Sequence, residues 1–333
     1  MTDTDSAQQH PYSLLSQDKV MDAVESLGFY CDARVLPLNS YENRVYQVGI
    51  EDQQPIIAKF YRPNRWSRAC IQEELDFLLE LQQEDLPVVA PLVIHGNSLF
   101  EHSGFYFALF PRRGGQAPEL SNDDDLELLG RWLARLHQAG AHKNFQHRPV
   151  MQGPADLQLA QQQVLASGLL PDDYRHNYQS LTDDLIKLVQ QRWQETPTQS
   201  LRLHGDLHTG NLLLRDEVLY MVDFDDCLQG PAMQDIWMLL SGSRAEQQQQ
   251  LMVIQEGYEM FRPLPVHELP LIESLRTLRL MKYAAWLCTR WQDPAFPAAF
   301  PWFGSHRFWS EHILALREQT AALQEPPLTL YPY

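Results

Sequence analysis

The sequence predicts an α+β fold in two lobes, a small front lobe with an antiparallel sheet and one main helix and a larger, mostly helical back lobe. Three observations carry this expectation. Short β-rich runs crowd the first third of the chain. From Asp123 onward, leucines recur at helical spacing. Deep in the helical half lies one apolar-flanked turn, residues 201–214, followed by an apolar run at 218–222, and the two deliver His204, Asp206, Asn211 and Asp223 in order. The lobe boundary is placed after residue 112, giving segments 1–112 and 113–333.

Composition narrows the possibilities. The 333 residues suffice for two lobes around a cleft, and an apolar fraction of 44% fits a folded globular chain. No apolar run reaches the roughly 20 residues a membrane span needs, so no membrane partner is expected. Residues 1–10 are polar, carry two Asp and read as a frayed tail rather than a signal peptide. Cys31, Cys70, Cys227 and Cys288 are scattered without paired spacing, which fits a reducing cytoplasm better than a disulfide or metal framework. A net charge of −17 repels phosphate backbones, so nucleic acid is a poor partner, while a basic substrate would be tolerated.

Along the front lobe, residues 12–28 read as a short amphipathic helix with Val20, Met21, Val24 and Leu27 on one face, ended by Gly28. Strands follow at 31–38, 44–50 and 55–61. The polar break at 39–43, which contains Ser40, sits where a loop would fold over phosphates, although an ordinary hairpin turn is equally compatible. Lys59 ends an apolar strand, Ile56-Ile57-Ala58-Lys59, and the next helix, 67–83, offers Glu74 as its ion-pair partner, with Glu73 in reserve. Two more strands, 98–101 and 105–110, lead to Pro111-Arg112-Arg113-Gly114-Gly115, the expected hinge.

In the back lobe, Leu126, Leu129, Leu133 and Leu136 mark a helix whose acidic start, Asp123 to Asp125, suits the helix dipole. Residues 157–165 and 178–196 read as further helices, and the glutamine patches at 161–163 and 247–250 as solvated helix faces. The tail, 270–324, is helical and rich in Trp, Tyr and Arg. Arg276, Arg279 and Tyr283 could line a substrate cleft; the plainer reading makes the aromatics core and pairs the arginines with carboxylates. Three prolines make 293–302 an irregular, rigid loop.

The 201–214 turn carries the chemistry. His204-x-Asp206-x-x-x-x-Asn211, then an apolar run and Asp223-Phe224, has the order and spacing of a phosphoryl-transfer catalytic loop and its metal-binding Asp. Such transfer needs a carboxylate to accept a hydroxyl proton and oxygen ligands for a hard cation that neutralises phosphate charge. The Leu203-His204-Gly205-Asp206-x-His208-x-Gly210-Asn211 form resembles the aminoglycoside and choline phosphotransferase branch of the protein-kinase-like fold. Further stretches, Asn39-Ser40-Tyr41-Glu42-Asn43-Arg44-Val45-Tyr46, Lys59-Phe60-Tyr61-Arg62-Pro63, the run 234–240 and Asp293-Pro294-Ala295-Phe296-Pro297, are similar to the bacterial stress response kinase A family. The resemblance covers nearly the whole chain.

That resemblance implies an ATP- and Mg²⁺-dependent serine/threonine protein kinase of the cytoplasm, acting in a stress response on a protein hydroxyl as a monomer; a small alcohol is the alternative acceptor. It implies that Asp206 accepts the proton and that Asn211 and Asp223 hold Mg²⁺. Lys59 and Glu74 would position the nucleotide, with Ser40 over the phosphates. His204 would brace the loop, and His208 would donate to a phosphate or pack. Asp235 would tie the loop down through backbone hydrogen bonds, or simply cap a helix. The sequence departs from protein kinases in lacking a glycine-rich loop, in placing Asp225 where D-F-G has Gly, and in leaving only twelve residues from Asp223 to Asp235. Asp225 could ligate metal, draw a cationic substrate or cap a turn.

Overall fold

The computed structural model describes residues 12–120, 122–215 and 218–330. The tail at 1–10 lies outside the described residues. The chain divides into two compact units. The first comprises Met1–Gln116, Leu213–Val222 and Asp293–Ala295; the second comprises Ala117–Leu212, Asp223–Gln292 and Phe296–Tyr333.

The first unit is built on one sheet. Helix α1 (Gln17–Glu25) begins later than the periodicity alone indicates, because Ser16 caps it: its hydroxyl accepts from the Lys19 N–H. Tyr12 instead stacks on Phe105 and donates its hydroxyl to the Glu42 carbonyl at 2.9 Å. Strands β1 (Cys31–Leu38), β2 (Arg44–Ile50) and β3 (Ile56–Phe60) follow, then α2 (Arg68–Gln83), β4 (Phe100–His102) and β5 (Phe105–Pro111). The sheet order is β1-β2-β3-β5-β4, antiparallel throughout. Val48, Ala58, Phe60, Phe107 and Leu109 pack beneath α1 residues Val20 and Val24 to form its core. Lys59 lies on central strand β3, opposite Val45 on one side and Ala108 on the other, so its backbone is held by two ladders.

The second unit is mostly helical. It contains α3 (Asp123–Ala141), α4 (Pro154–Ala166) and α5 (Asp172–Glu195), followed by strand β6 (Leu201–Leu203). Strands β7 (Leu212–Arg215) and β8 (Val218–Met221) pair as a ribbon that falls largely in the first unit, where Gln116 and Leu214 exchange backbone hydrogen bonds. Strand β9 (Leu228–Gly230) pairs with β6, and α6 (Met233–Trp237), α7 (Arg244–Tyr258), α8 (Ile272–Arg290), α9 (Ala295–Ala299) and α10 (His306–Gln324) complete the chain. The Asn122 side chain caps α3, whose Leu126, Leu129, Leu133 and Leu136 are all buried. Leu157, Leu185, Leu278, Met281, Trp309 and Leu316 belong to one continuous core. No helix among the described residues is long and apolar enough to cross a membrane, and the four cysteines form no disulfide among the described residues.

Three sequence expectations change. Gln161 is buried, and its amide donates to Thr182 Oγ1 and Asp183 Oδ1, both at 2.7 Å, so this glutamine bridges α4 to α5 rather than facing water. The proline-rich segment 293–302 contains helix α9. Pro297 falls in its first turn, where a missing N–H removes no helical bond. In the tail, Trp309 is core, but Tyr283 and Trp302 are 40% and 44% exposed.

Candidate active site

The loop after β6 is shaped by its backbone. Strand β6 is buried along its length, with Leu203 opposite Leu228 of β9, and this fixes the point from which the loop departs. Gly205 follows with φ +86°, and a Cβ there would stand 2.4 Å from the Asp226 carbonyl oxygen. No L side chain fits that position. His204 is buried, its ring centroid 4.4 Å from that of Phe224, and its Nδ1 accepts the Asp206 N–H at 3.3 Å. Nδ1 is therefore occupied as an acceptor, and His204 braces the loop. A 3₁₀ turn at Thr209–Asn211 closes it. Asn211 Nδ2 donates to the Asp206 carbonyl at 2.9 Å, which commits the amide nitrogen and leaves the amide oxygen as the acceptor atom.

A buried carboxylate holds this loop from behind. Asp235 of α6 accepts the His204 N–H at Oδ2 (2.9 Å) and the Gly205 N–H at Oδ1 (2.8 Å). It is a tether inside its helix, not an N-cap. Gln234 adds a bond from Nε2 to the Gly205 carbonyl at 2.8 Å. Behind Asp235, His137 of α3 stands 3.3 Å away through Nε2, and its Nδ1 lies 2.8 Å from the Tyr258 hydroxyl. Burial lowers the His137 pKa despite the nearby carboxylate. A neutral imidazole donates from Nε2 to Asp235 and accepts from Tyr258 at Nδ1. Glu268 receives the Met233 N–H at 3.1 Å at the start of α6, and burial pushes its carboxyl up to about 7.

The segment from Asp223 to Cys227 is gripped from another side. Asp223 takes the left-handed conformation, φ +62° and ψ +61°, tolerable for Asp, and its side chain is exposed. Arg148 donates from Nε to the Cys227 carbonyl at 2.9 Å and from Nη2 to the Phe224 and Asp225 carbonyls. Asp225 is only 4% exposed, so it does not present a charge to solvent for a cationic substrate. Arg148, His137, Tyr258 and Glu268 lay beyond sequence reasoning, since each is a single residue remote from the loop it supports, with no motif around it.

Asp206 is half-buried and engaged by two cationic or polar neighbours. Arg279 of α8 forms an ion pair with its Oδ1, and His208 Nε2 lies 3.6 Å from Oδ2. Burial pushes the carboxyl up, but the hydrogen bonds and charges of His208 and Arg279 outweigh it and hold the group well below the usual carboxylate range. His208 does not simply pack: its Nδ1 also accepts the Gly210 N–H at 3.0 Å. Beside this group is a cavity of about 330 Å³ lined by His208, Trp237, Met238, Arg276, Arg279 and Tyr283, among others. Arg276 lies over the Trp237 ring, 5.5 Å from its centroid, and pairs with Glu273 at 3.1 Å. Each tail arginine pairs with a carboxylate, as the plainer reading has it, and both also line this cavity.

Within the first unit, Lys59 Nζ lies 3.0 Å from Glu74 Oε1, and both residues are buried. Tyr61 adds a hydroxyl to the same Glu74 oxygen at 3.2 Å, and the Lys59 ammonium sits 5.0 Å from the Tyr61 ring centroid. Ser40 lies half-buried in the turn between β1 and β2. The neighbouring Asn43 Oδ1 accepts the Arg62 N–H at 3.1 Å, and Arg62 in turn pairs with Asp293 at 2.8 Å.

The donor set suits a small hard cation. Asn211 offers an amide oxygen and Asp223 an exposed carboxylate, both oxygen ligands. Among the described residues no cluster of three His, Cys, Asp or Glu side chains could cage a metal. Two oxygen ligands would suffice for Mg²⁺, which keeps several waters and substrate phosphate oxygens.

A loop with a carboxylate in this position, an Asn five residues on and a further Asp after a two-stranded ribbon, on a two-unit α+β frame, has the layout of a phosphotransferase of kinase-like architecture. Residues 34–269 match the phosphotransferase enzyme family. The chain is 45% identical over 322 residues to stress response kinase A of Escherichia coli K12, covering 96% of this chain and 97% of that one. It is equally similar to a Salmonella typhimurium protein named serine/threonine protein kinase RdoA, with the same coverage. Among solved structures, an amicoumacin kinase in complex with AMP-PNP, Ca²⁺ and its ligand shares the fold at TM-score 0.71 and 20% identity, with 95% and 96% of the two chains covered. A microcompartment-associated aminopropanol kinase does so at TM-score 0.66 and 20% identity, with 92% and 96% covered. The chain is a phosphotransferase that belongs to the stress response kinase A family.

Proposed function

We propose that the enzyme is an ATP- and Mg²⁺-dependent serine/threonine protein kinase acting in a bacterial stress response. The observation that carries the reading is the loop itself: Asp206 and Asn211 are locked together and tethered to buried Asp235, in a chain 45% identical over 96% of its length to stress response kinase A. Asp206 accepts the proton of the acceptor hydroxyl. The freed oxygen forms a bond to the γ-phosphorus of ATP as the bond to the β–γ bridging oxygen breaks, and ADP leaves with that electron pair. Asn211 and Asp223 would hold Mg²⁺, which would supply charge neutralisation at the phosphates. Lys59, oriented by Glu74, holds the nucleotide phosphates, and Ser40 donates to them. A monomer in the cytoplasm accords with this reading.

A second reading, a small-molecule kinase for an amino alcohol or sugar, is favoured by the twelve residues from Asp223 to Asp235, which leave no segment like that on which protein kinases seat a peptide. Purified enzyme, labelled ATP, casein-like proteins and a panel of small alcohols separate the two. Label on protein Ser or Thr is expected; label confined to small alcohols would defeat the protein-kinase reading.

A further inference from the structure

The cavity beside Asp206 has a character that the overall charge hides. The chain carries −17, yet the face of α8 toward this cavity presents two guanidinium groups, Arg276 and Arg279, three residues apart. The rest of the lining includes Trp237, Met238, Leu280 and Tyr283, bulky side chains that displace water and so strengthen charge interactions. Stacking on Trp237 pre-orients Arg276. Arg279 uses Nη1 on Asp206, and its Nε and Nη2 form no hydrogen bond among the described residues.

The Arg279–Asp206 pair is also at odds with proton transfer. The guanidinium occupies a carboxylate oxygen that the acceptor hydroxyl must reach. An incoming anion resolves this conflict. It replaces the Asp206 carboxylate on Arg279, one ion pair for another, and leaves Asp206 with His208 Nε2 3.6 Å from its other oxygen. The planar fork of Arg matches a carboxylate or phosphate in two bonds. An ammonium group would find the Asp206 and Glu273 carboxylates already engaged by these two guanidinium groups.

Resting on the reading of Asp206 as proton acceptor, we propose that the phosphate acceptor carries an anionic group next to its hydroxyl, that Arg276 and Arg279 recognise this anion, and that its docking draws Arg279 off Asp206. For a protein substrate this means a Ser or Thr flanked by Asp or Glu.

The test uses the full chain, labelled ATP and three peptides that differ only in the residue beside the target Ser: Glu, Gln or Lys. Glycerol 2-phosphate, glycerol and 3-amino-1-propanol form a parallel series. The Glu peptide is expected to exceed the Gln peptide by about tenfold in kcat/KM, mainly through KM, with Lys lowest. Arg276→Gln, which does not touch Asp206, should erase most of that preference by raising KM for the Glu peptide alone. Arg279→Gln should erase it too while raising kcat on the Gln peptide, because the base is no longer clamped. Equal or better use of the Gln or Lys peptide by the wild-type enzyme overturns the proposal, and so does a preference that survives in the double variant. If only small alcohols take label, the protein-kinase reading fails separately; anionic above cationic alcohol still upholds the site, and the reverse order overturns it.

Discussion

The carboxylate of Asp235 receives the backbone N–H of Gly205 at 2.8 Å, while its second oxygen takes the neighbouring His204 N–H at 2.9 Å. One buried side chain thereby sets the path of the loop that carries Asp206. An Asp235→Asn variant keeps the size but turns an amide N–H₂ toward one of those donors. The expected cost is about 1–3 kcal/mol in unfolding free energy, together with a fall in kcat. Denaturant unfolding and steady-state kinetics measure both; wild-type values for the pair would refute the tether.

Gly205 is required by geometry rather than by flexibility. With φ +86° and the Asp226 carbonyl 2.4 Å from any Cβ, Gly205→Ala must displace either the loop or the Asp223–Cys227 segment. Destabilisation of about 1–3 kcal/mol and a large loss of kcat are expected. A thermal midpoint equal to wild type would contradict this.

Asp206→Asn removes the proposed proton acceptor while keeping its shape. A loss of about 10²–10⁴ in kcat with little change in KM for ATP is expected. Because Asp206 titrates well below the usual carboxylate range, its pairing stabilises the fold above the ordinary Asp value of 3.8 and is lost only as pH falls through the depressed folded value. Activity should therefore show no acidic limb from this group near neutrality, which a pH–rate profile checks.

Glu268 behaves in the opposite sense. Its carboxyl is raised from the ordinary 4.5 to about 7 by burial, so the folded state holds a proton that the unfolded chain releases. Stability from this group is full below 4.5 and declines as pH rises to about 7, by roughly 3 kcal/mol. Glu268→Gln should flatten that decline in unfolding free energy measured across the interval. An unchanged slope would show that Glu268 does not titrate there.

Lys59→Met removes the ammonium that lies 3.0 Å from buried Glu74. Breaking a buried pair from one side costs about 3–5 kcal/mol. Adding Glu74→Gln should recover part of that stability without recovering ATP affinity, because the phosphate-binding charge is still missing. Nucleotide binding restored in the double variant would place Lys59 outside nucleotide recognition.

The strands and helices nearest these residues were readable from local pattern. Strands at 31–38 and 44–50 follow from local pattern, and the helix read over 67–83 begins one residue later, at Arg68, because Ser67 caps it. Gln161 was misread because a polar residue on a helix looks solvated until its partners, Thr182 and Asp183, are known. The helix in the proline-rich segment was missed because a first-turn proline and a loop proline look alike in one dimension. His208 stayed open between two roles, since its bonds to Gly210 and proximity to Asp206 depend on how the turn folds.

What the amino-acid order determined alone was the front strands, the longer helices and the succession His204, Asp206, Asn211, Asp223, because helix period, strand alternation and covalent spacing are local properties of the chain. Only tertiary structure decided the long-range partners: Arg279 on Asp206, Arg148 on the Phe224–Cys227 carbonyls, and His137 behind Asp235. Those pairs are separated by about 70 to 100 residues, and nothing in local propensity selects one distant charge over another. Packing of the helices that carry them does.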